Sequence, residues 1–416
     1  MLKRPDMTSE ARDIAQVAVP SCVLGDPVGF GGREEGGFRV GTLHLRGDAV
    51  VGMTASFDPV QRLVLPKLTE PQVHLDKCHT IERLGAIGGD LATAVAAQSA
   101  DKAAWTANDL DARMRRGLRE LAQAGCGTVR THIDWSNSED PPLAWEIACG
   151  LRGDARDLGL DLQVAALTGI DLLADANFAS AVAKRVSRDQ GVLGAFVLRH
   201  SHREAGLKNA FVVAEKFGLA LDFHVDEGLD PALDGIEIIP RVAQQIRFEG
   251  PILCGHACSL ASKTSTQVAQ FAEDLASNGI SVVTLPTTNL YLQGRNAGTP
   301  KSRGLTRVHE LSRSGVNVVL GTDNVRDAFC PIGRHDPINS LGVAVLAAHL
   351  DPPLVQHMPM ITTGAQRALG VQAQTVDGAT EDDLIVFERP DLSSLVADPA
   401  RPIRISELAQ GETANG

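Results

Sequence analysis

A small set of side chains in this 416-residue chain has the types from which a hydrolytic metal site is assembled. Gln72 and His74 stand two apart in LTEPQVHLDK, and His132 and Asp134 close the run GTVRTHID. His224 and Glu227 lie in LALDFHVDE, His256 in PILCGHAC, and Asp323 directly follows VNVVLGT. Residues two apart on a strand point to the same side, so Gln72 and His74 would share one face. Imidazole and carboxylate together form a donor set suited to Zn²⁺ or Fe²⁺, with positions left open for water. An ion so held makes hydroxide available near neutrality, and the chemistry it implies is hydrolysis. Each residue taken alone has a blander reading. A single strand histidine is more often a hydrogen-bonded core residue, and Asp323 on its own reads as a helix N-cap. Buried carboxylates are rare unless paired. Their shared placement at one end of successive apolar runs favours a site, because unrelated accidents would scatter them over both ends.

The elements that must position these residues show a regular alternation. Eight short apolar or β-branched runs occur: 62–69, 127–134, 160–169, 191–199, 219–227, 251–258, 280–289 and 316–324. Between them lie stretches with apolar residues three and four apart, such as ANDLDARMRRGLRELAQAG at 107–125. Nearly continuous apolar strands alternating with helices predict a parallel sheet covered on both faces. Eight such units favour a (β/α)8 TIM-like barrel; the period alone also suits an open sheet. In a barrel, catalytic side chains come from the C-terminal ends of the strands, which is where the polar residues above interrupt the apolar pattern. The ends of the chain differ from its middle. Residues 20–62 read as short strands joined by Gly- and Pro-rich turns, and DDLIVFERPDLSSLVADPARPIRI is likewise strand and turn. The expectation is a composite β-sandwich domain from 1–65 and 370–416 around a barrel of 66–369.

The formal charge of −12 argues against nucleic-acid or anionic-membrane partners, since both need a basic face. No run of about 18 apolar residues exists to span a membrane as a helix. The opening MLKRPDMTSEARDIAQ has no apolar h-region. Seven scattered cysteines do not form a disulfide framework, so a cytoplasmic setting is expected. Cys254 and Cys258 read as core, Cys78 and His79 as loop after the first run, and His200 and His202 as a weak pocket option. Phosphate-binding glycine motifs and a GxSxG elbow are absent from the sequence.

As a set, LPKLTEPQVHLDK, TVRTHIDWS, LDFHVDE, CGHACSL, TLPTTNLYLQGR with TPKSRGLTRVHEL, and LGTDNVRDAF span nearly the whole chain. In these segments the sequence resembles the amidohydrolase superfamily, and within it the cytosine deaminase family. The resemblance implies a (β/α)8 barrel with a β-sandwich from both termini, and one divalent metal ion, Zn or Fe. It implies His74, His224 and Asp323 as ligands, with Gln72 standing where the family has the first histidine. Glu227 matches the acid that protonates a ring nitrogen, and His256 the residue that orients water or polarises the substrate. Asp323 matches the group that takes the water proton and returns it to the leaving amine. The lack of a lysine at the end of the fourth strand agrees with a single metal. The implied substrate is a small nitrogen heterocycle. Thr168 replaces the glutamine that reads cytosine, while Asn324 and Phe329 replace an acid and a tryptophan, so cytosine itself is not the expected substrate. A homo-oligomer is compatible with a barrel of this kind.

Gln72 leaves three readings open. The ion is held by His74, His224 and Asp323 with Gln72 as a marginal fourth ligand; His132 substitutes for the missing imidazole; or the metal is lost and the pocket binds a heterocycle without turnover. A neutral amide oxygen is a weaker donor than imidazole for Zn²⁺ or Fe²⁺.

Overall fold

The computed structural model describes residues 11–85 and 87–408, and two sheets dominate it. The smaller begins with β1 (Ala11–Pro20), β2 (Arg33–Glu35), β3 (Phe38–Arg46), β4 (Ala49–Ala55) and β5 (Arg62–Pro66). The second sheet consists of β6 (Leu68–Val73), β7 (Cys126–Asp134), β8 (Asp161–Gly169), β9 (Val192–Val197), β10 (Leu221–Val225), β11 (Ile252–His256), β12 (Ser281–Thr284) and β13 (Val318–Leu320). These eight run parallel, each beside its sequence neighbour, with helices in the connections: the (β/α)8 barrel. β14 (Leu384–Phe387) then returns to the small sheet and pairs antiparallel with β5. The small sheet thus takes strands from both ends of the chain; residues 1–10 and 409–416 lie outside the described residues. No helix among the described residues is long and apolar enough to cross a membrane.

Two details differ from the sequence pattern. The first apolar run, RLVLPKLT, is divided between the sheets: Arg62–Pro66 is β5 and Leu68 opens β6. At Lys67 the chain changes sheets, its backbone N–H donating to Asp383 O at 2.9 Å. Apolar character alone does not report which sheet a residue joins. The small sheet also starts earlier than residue 20, because ARDIAQVAVP forms the long strand β1 along β3.

The helices that clad the barrel follow ordinary patterning. In Ala107–Gln123 the buried residues Leu110, Met114, Leu118 and Leu121 form one stripe, and Thr106 caps the N-terminus by accepting from Asp109 N.

The barrel closes at its thinnest point. β13 is three residues long, and the seam with β6 rests on a parallel bridge between Val73 and Asp323, in which Asp323 N donates to Gln72 O at 2.9 Å. A side chain reinforces it. Fully buried Glu70 accepts from Gln72 N at 3.0 Å and from Thr322 N at 3.0 and 3.1 Å. Gly321 is required here, since a Cβ would come within 3.0 Å of Glu70 Oε1 and 3.2 Å of Gln72 O.

Burial pushes the Glu70 carboxyl up to about 8, so it is largely protonated at neutral pH. Between its ordinary value of 4.5 and about 8 the folded chain holds a proton that the unfolded chain has released. This group's contribution is therefore fully present below the lower value and is lost as pH rises through the upper one. Urea titrations of the wild type are expected to show stability falling with pH across that window. Glu70→Gln, which keeps an acceptor for the seam N–H groups, should flatten the fall; an unchanged slope would remove Glu70 from this role.

Candidate active site

The polar residues that end the barrel strands converge on one buried point. His74 follows β6, His224 lies within β10, His256 ends β11, and Asp323 follows β13 across the seam. The backbone turns sharply where these strands stop. Asp226, His256, Ala257 and Asp323 all have positive φ, between 49° and 66°, in a region that L side chains rarely adopt. Such strain persists only where the surroundings over-determine it, and it concentrates at functional sites.

His74 Nε2 lies 3.1 Å from His224 Nε2 and 3.3 Å from Asp323 Oδ1. The three donor atoms all fall within 4.8 Å of one another, and all three residues are buried. Gln72 enters the same cluster: its Nε2 is 3.0 Å from His224 Nε2 and 3.3 Å from His256 Nε2. Its Oε1 has no partner and packs against Gly255, where a Cβ would approach it to 2.4 Å. A carboxamide turned over has the same shape, and in that orientation the oxygen faces the two imidazoles.

The charge states suit a cation. Burial, with Lys77, His132 and His256 as neighbours, lowers the pKa of His74 and takes His224 well below the ordinary range, so both rings are neutral with lone pairs to offer. Asp323 is the opposite case. Burial would raise its carboxyl, yet His74 and His256 hold it at about 2. Neither of its oxygens has a hydrogen-bond partner, although the residue is fully buried. An ionised, unpartnered carboxylate facing two neutral imidazoles is a costly arrangement that a divalent cation resolves. Two donors on one tetrahedral zinc-type ion sit roughly 3.4 Å apart, close to the separations seen here. The residues present therefore fit a divalent metal, with Gln72 at the edge of the set.

Beside the donors stands an acid pair. Burial pushes Glu227 up to about 7, and its Oε2 lies 3.7 Å from His256 Nε2. His256 is pulled down by burial but raised overall by Glu227, Asp323 and Asn289. Its Nδ1–H donates to Asn289 Oδ1 at 3.0 Å, which leaves Nε2 facing the site. Behind these groups, Lys77 Nζ is 3.0 Å from His74 Nδ1 and donates to Asp134 Oδ1 at 2.6 Å. Lys102 donates to the other Asp134 oxygen at 2.7 Å. His132 Nε2 lies 3.0 Å from Asp222 Oδ1 without making a hydrogen bond, Asp222 is held by Arg130 at 2.8 Å, and the donor atoms of His132, Asp222 and His224 fall within 4.8 Å of one another.

Gln72, His74, His224, Glu227, His256 and Asp323 are thus brought together. The other positions singled out in the sequence are already occupied with other partners. The Thr168 hydroxyl donates to Gly194 O at 2.8 Å, and Asn324 Nδ2 donates to Asp327 Oδ2 at 2.7 Å. Half-buried Phe329 packs in a small apolar cluster with Ala94 and Leu292. His200 accepts from Leu198 N, and His202 is exposed; neither joins the cluster. Cys254 and Cys258 are buried and free of disulfides. Asn289, Lys77 and the Arg130–Asp222 pair carried no functional signal in the sequence. Only a buried partner reveals them, and sequence spacing could not supply that partner.

Comparison with known proteins agrees with this geometry. A family model described as the amidohydrolase family matches residues 81–380. Over 350 residues the chain is 32% identical to a pterin deaminase of Rhizobium rhizogenes, covering 83% of this chain and 79% of that one. It is 24% identical over 360 residues to an N-isopropylammelide isopropyl amidohydrolase of Pseudomonas, covering 83% and 84%. Among solved structures, a 5-methylcytosine deaminase of Klebsiella pneumoniae has the same fold, with a TM-score of 0.78 at 24% identity over 94% of this chain and 96% of that one. With three buried donors converging at the closing seam of a (β/α)8 barrel, the chain belongs to the amidohydrolase family and is a hydrolase of carbon–nitrogen bonds other than peptide bonds.

Proposed function

We propose that this chain deaminates a small nitrogen heterocycle whose amine sits on a ring carbon next to a ring nitrogen, with a pterin-like bicyclic aminopyrimidine as the favoured class. The observation that carries this reading is the buried carboxyl of Glu227, raised by burial to about 7, set beside the convergent His74, His224 and Asp323. The 32% identity to a pterin deaminase supports the substrate class.

In this reading His74, His224 and Asp323 hold one divalent ion, with Gln72 offering Oε1 as a weaker fourth donor; zinc and iron both suit the set. Such an ion supplies a hydrolytic water of lowered pKa. Glu227 Oε2 gives its proton to the ring nitrogen as the adjacent carbon becomes tetrahedral. Asp323 receives the proton of the attacking water and passes it to the departing amine. His256, its tautomer set by Asn289, presents Nε2 to the developing oxygen. The products are a ring carbonyl and ammonia. A reading as a metal-poor binding protein finds no support in the donor set, because the unpartnered Asp323 carboxylate still needs a cation.

Four measurements test the reading. With Zn²⁺ or Fe²⁺ supplied, ammonia release is expected from pterin ahead of 5-methylcytosine, and ahead of isopropylamine release from N-isopropylammelide. Heterocycle binding with no amine released from any of them would return the chain to the binding class. Glu227→Gln should lower kcat by about 10²–10⁴-fold with metal content unchanged, the scale of a lost general acid. Since the acid must be protonated, wild-type kcat/KM should decline as pH rises through about 7, and Glu227→Gln should not share that limb. Metal content of the wild type, measured beside Gln72→His, addresses the changed ligand. The substitution is expected to tighten binding by roughly 10–100-fold, the range that changes around a metal centre carry; equal affinities would mean that position 72 does not ligate.

A further inference from the structure

A second convergence of donors lies away from the active site, on the outer side of the barrel seam. His79 stands in the loop after β6, Glu120 in the last turn of the helix Ala107–Gln123, and His335 just before the helix Pro337–Ala348. Their donor atoms lie within 4.8 Å of one another. The His79 and His335 side chains are buried, 3% and 0% exposed, while Glu120 is half-buried and reaches solvent. Arg116 donates to Glu120 Oε1 at 2.9 Å, which leaves Oε2 free to face both histidines.

The approach of the two rings is what separates a hydrogen-bonded clasp from a metal site. His335 Nδ1 lies 2.8 Å from Glu120 Oε2 in hydrogen-bonding geometry. His79 Nε2 lies 3.0 Å from the same oxygen, yet neither His79 nitrogen makes a hydrogen bond. Its ring axis therefore points beside the oxygen and not along the line to it. At the active site His74 Nε2 and Asp323 Oδ1 likewise lie 3.3 Å apart without a hydrogen bond, although the Asp323 carboxylate has no other partner whereas Glu120 also meets His335 and Arg116.

The backbone is shaped to bring these residues together. His79 has φ of 60°, with its N–H donating to Val325 O at 3.0 Å. Gly117 lets His335 approach the helix, because a Cβ there would lie 3.1 Å from His335 Cε1 and 2.5 Å from Leu75 Cδ2. His335 is anchored next to Asp336, which caps its helix by accepting from Ile338 N and Asn339 N.

The geometry points to a second, structural site for a zinc-type divalent cation, held by His79 Nε2, His335 Nδ1 and Glu120 Oε2 and completed by water. Two imidazoles and one carboxylate form a donor set that such ions accept. The ion would tie the segment after the first barrel strand, the first long helix and the segment after the last strand into one unit across the seam. It would stabilise the fold and take no part in turnover.

The test is a count of bound Zn²⁺ and Co²⁺ on the full-length chain after reconstitution, for wild type, Glu120→Ala and Asp323→Asn. Glu120→Ala is expected to hold one equivalent fewer than the wild type. Asp323→Asn, which removes an active-site donor, should keep one equivalent, with the visible absorption of four-coordinate Co²⁺ and a zinc-dependent rise in Tm. If Glu120→Ala holds as much metal as the wild type, or if Asp323→Asn holds none, the site does not exist. The two variants fail independently, so the loss of either fold leaves the other decisive.

Discussion

The hydrogen bond from Asp323 N to Gln72 O, 2.9 Å long, closes the barrel and builds the site in one contact. β13 is too short to hold the seam by a full ladder, so closure falls on this bond and on the Glu70 carboxyl beneath it. The same backbone carries Gln72 and Asp323 into the cluster from opposite sides, with His74 two residues further on. A shift of either strand would open the barrel and pull a donor from its partners together. Fold closure and donor geometry are therefore one constraint.

Burial is the second determinant, and it acts with opposite sign on different groups. It takes protons from His74 and His224 and keeps one on Glu227. The imidazoles of His74 and His256, with the Thr288 hydroxyl, keep Asp323 ionised against burial. A single dry pocket thereby holds two neutral bases, an anion and a carboxyl that titrates near neutrality within a few ångströms. That is the division of labour that hydrolysis of a carbon–nitrogen bond needs. Gln72 is the one position that departs from an all-imidazole strand motif. It fits sterically because Gly255 leaves it room, and its amide still reaches the ring nitrogens of His224 and His256.

Around this centre, two carboxylates each gather two partners and so define shape. Lys77 and Lys102 share Asp134, while Arg130 and His132 share Asp222. The second arrangement keeps His132 beside His224, with the donor atoms of His132, Asp222 and His224 within 4.8 Å of one another. The His132 and His224 ring centroids are 4.8 Å apart.

The alternation of apolar runs and helical stretches was enough to define eight βα units, because strands buried on both faces must be apolar throughout. The polar interruptions at one end of those runs identified His74, His224, Glu227, His256 and Asp323, since a strand that ends at a pocket carries its chemistry there. Local pattern could not divide RLVLPKLT between two sheets, or foresee β1, because an apolar residue reads the same in either core. Nor could it find Asn289, Glu70 or the Arg130–Asp222 pair, or show that Thr168 and Asn324 already have partners. Those facts depend on residues far apart in the chain meeting in space, and hydrogen-bond partners are fixed only when the barrel closes. The sequence by itself determined the alternation of eight βα units and the polar residues that end them. The tertiary structure decided their protonation, their orientation and the partners that hold them.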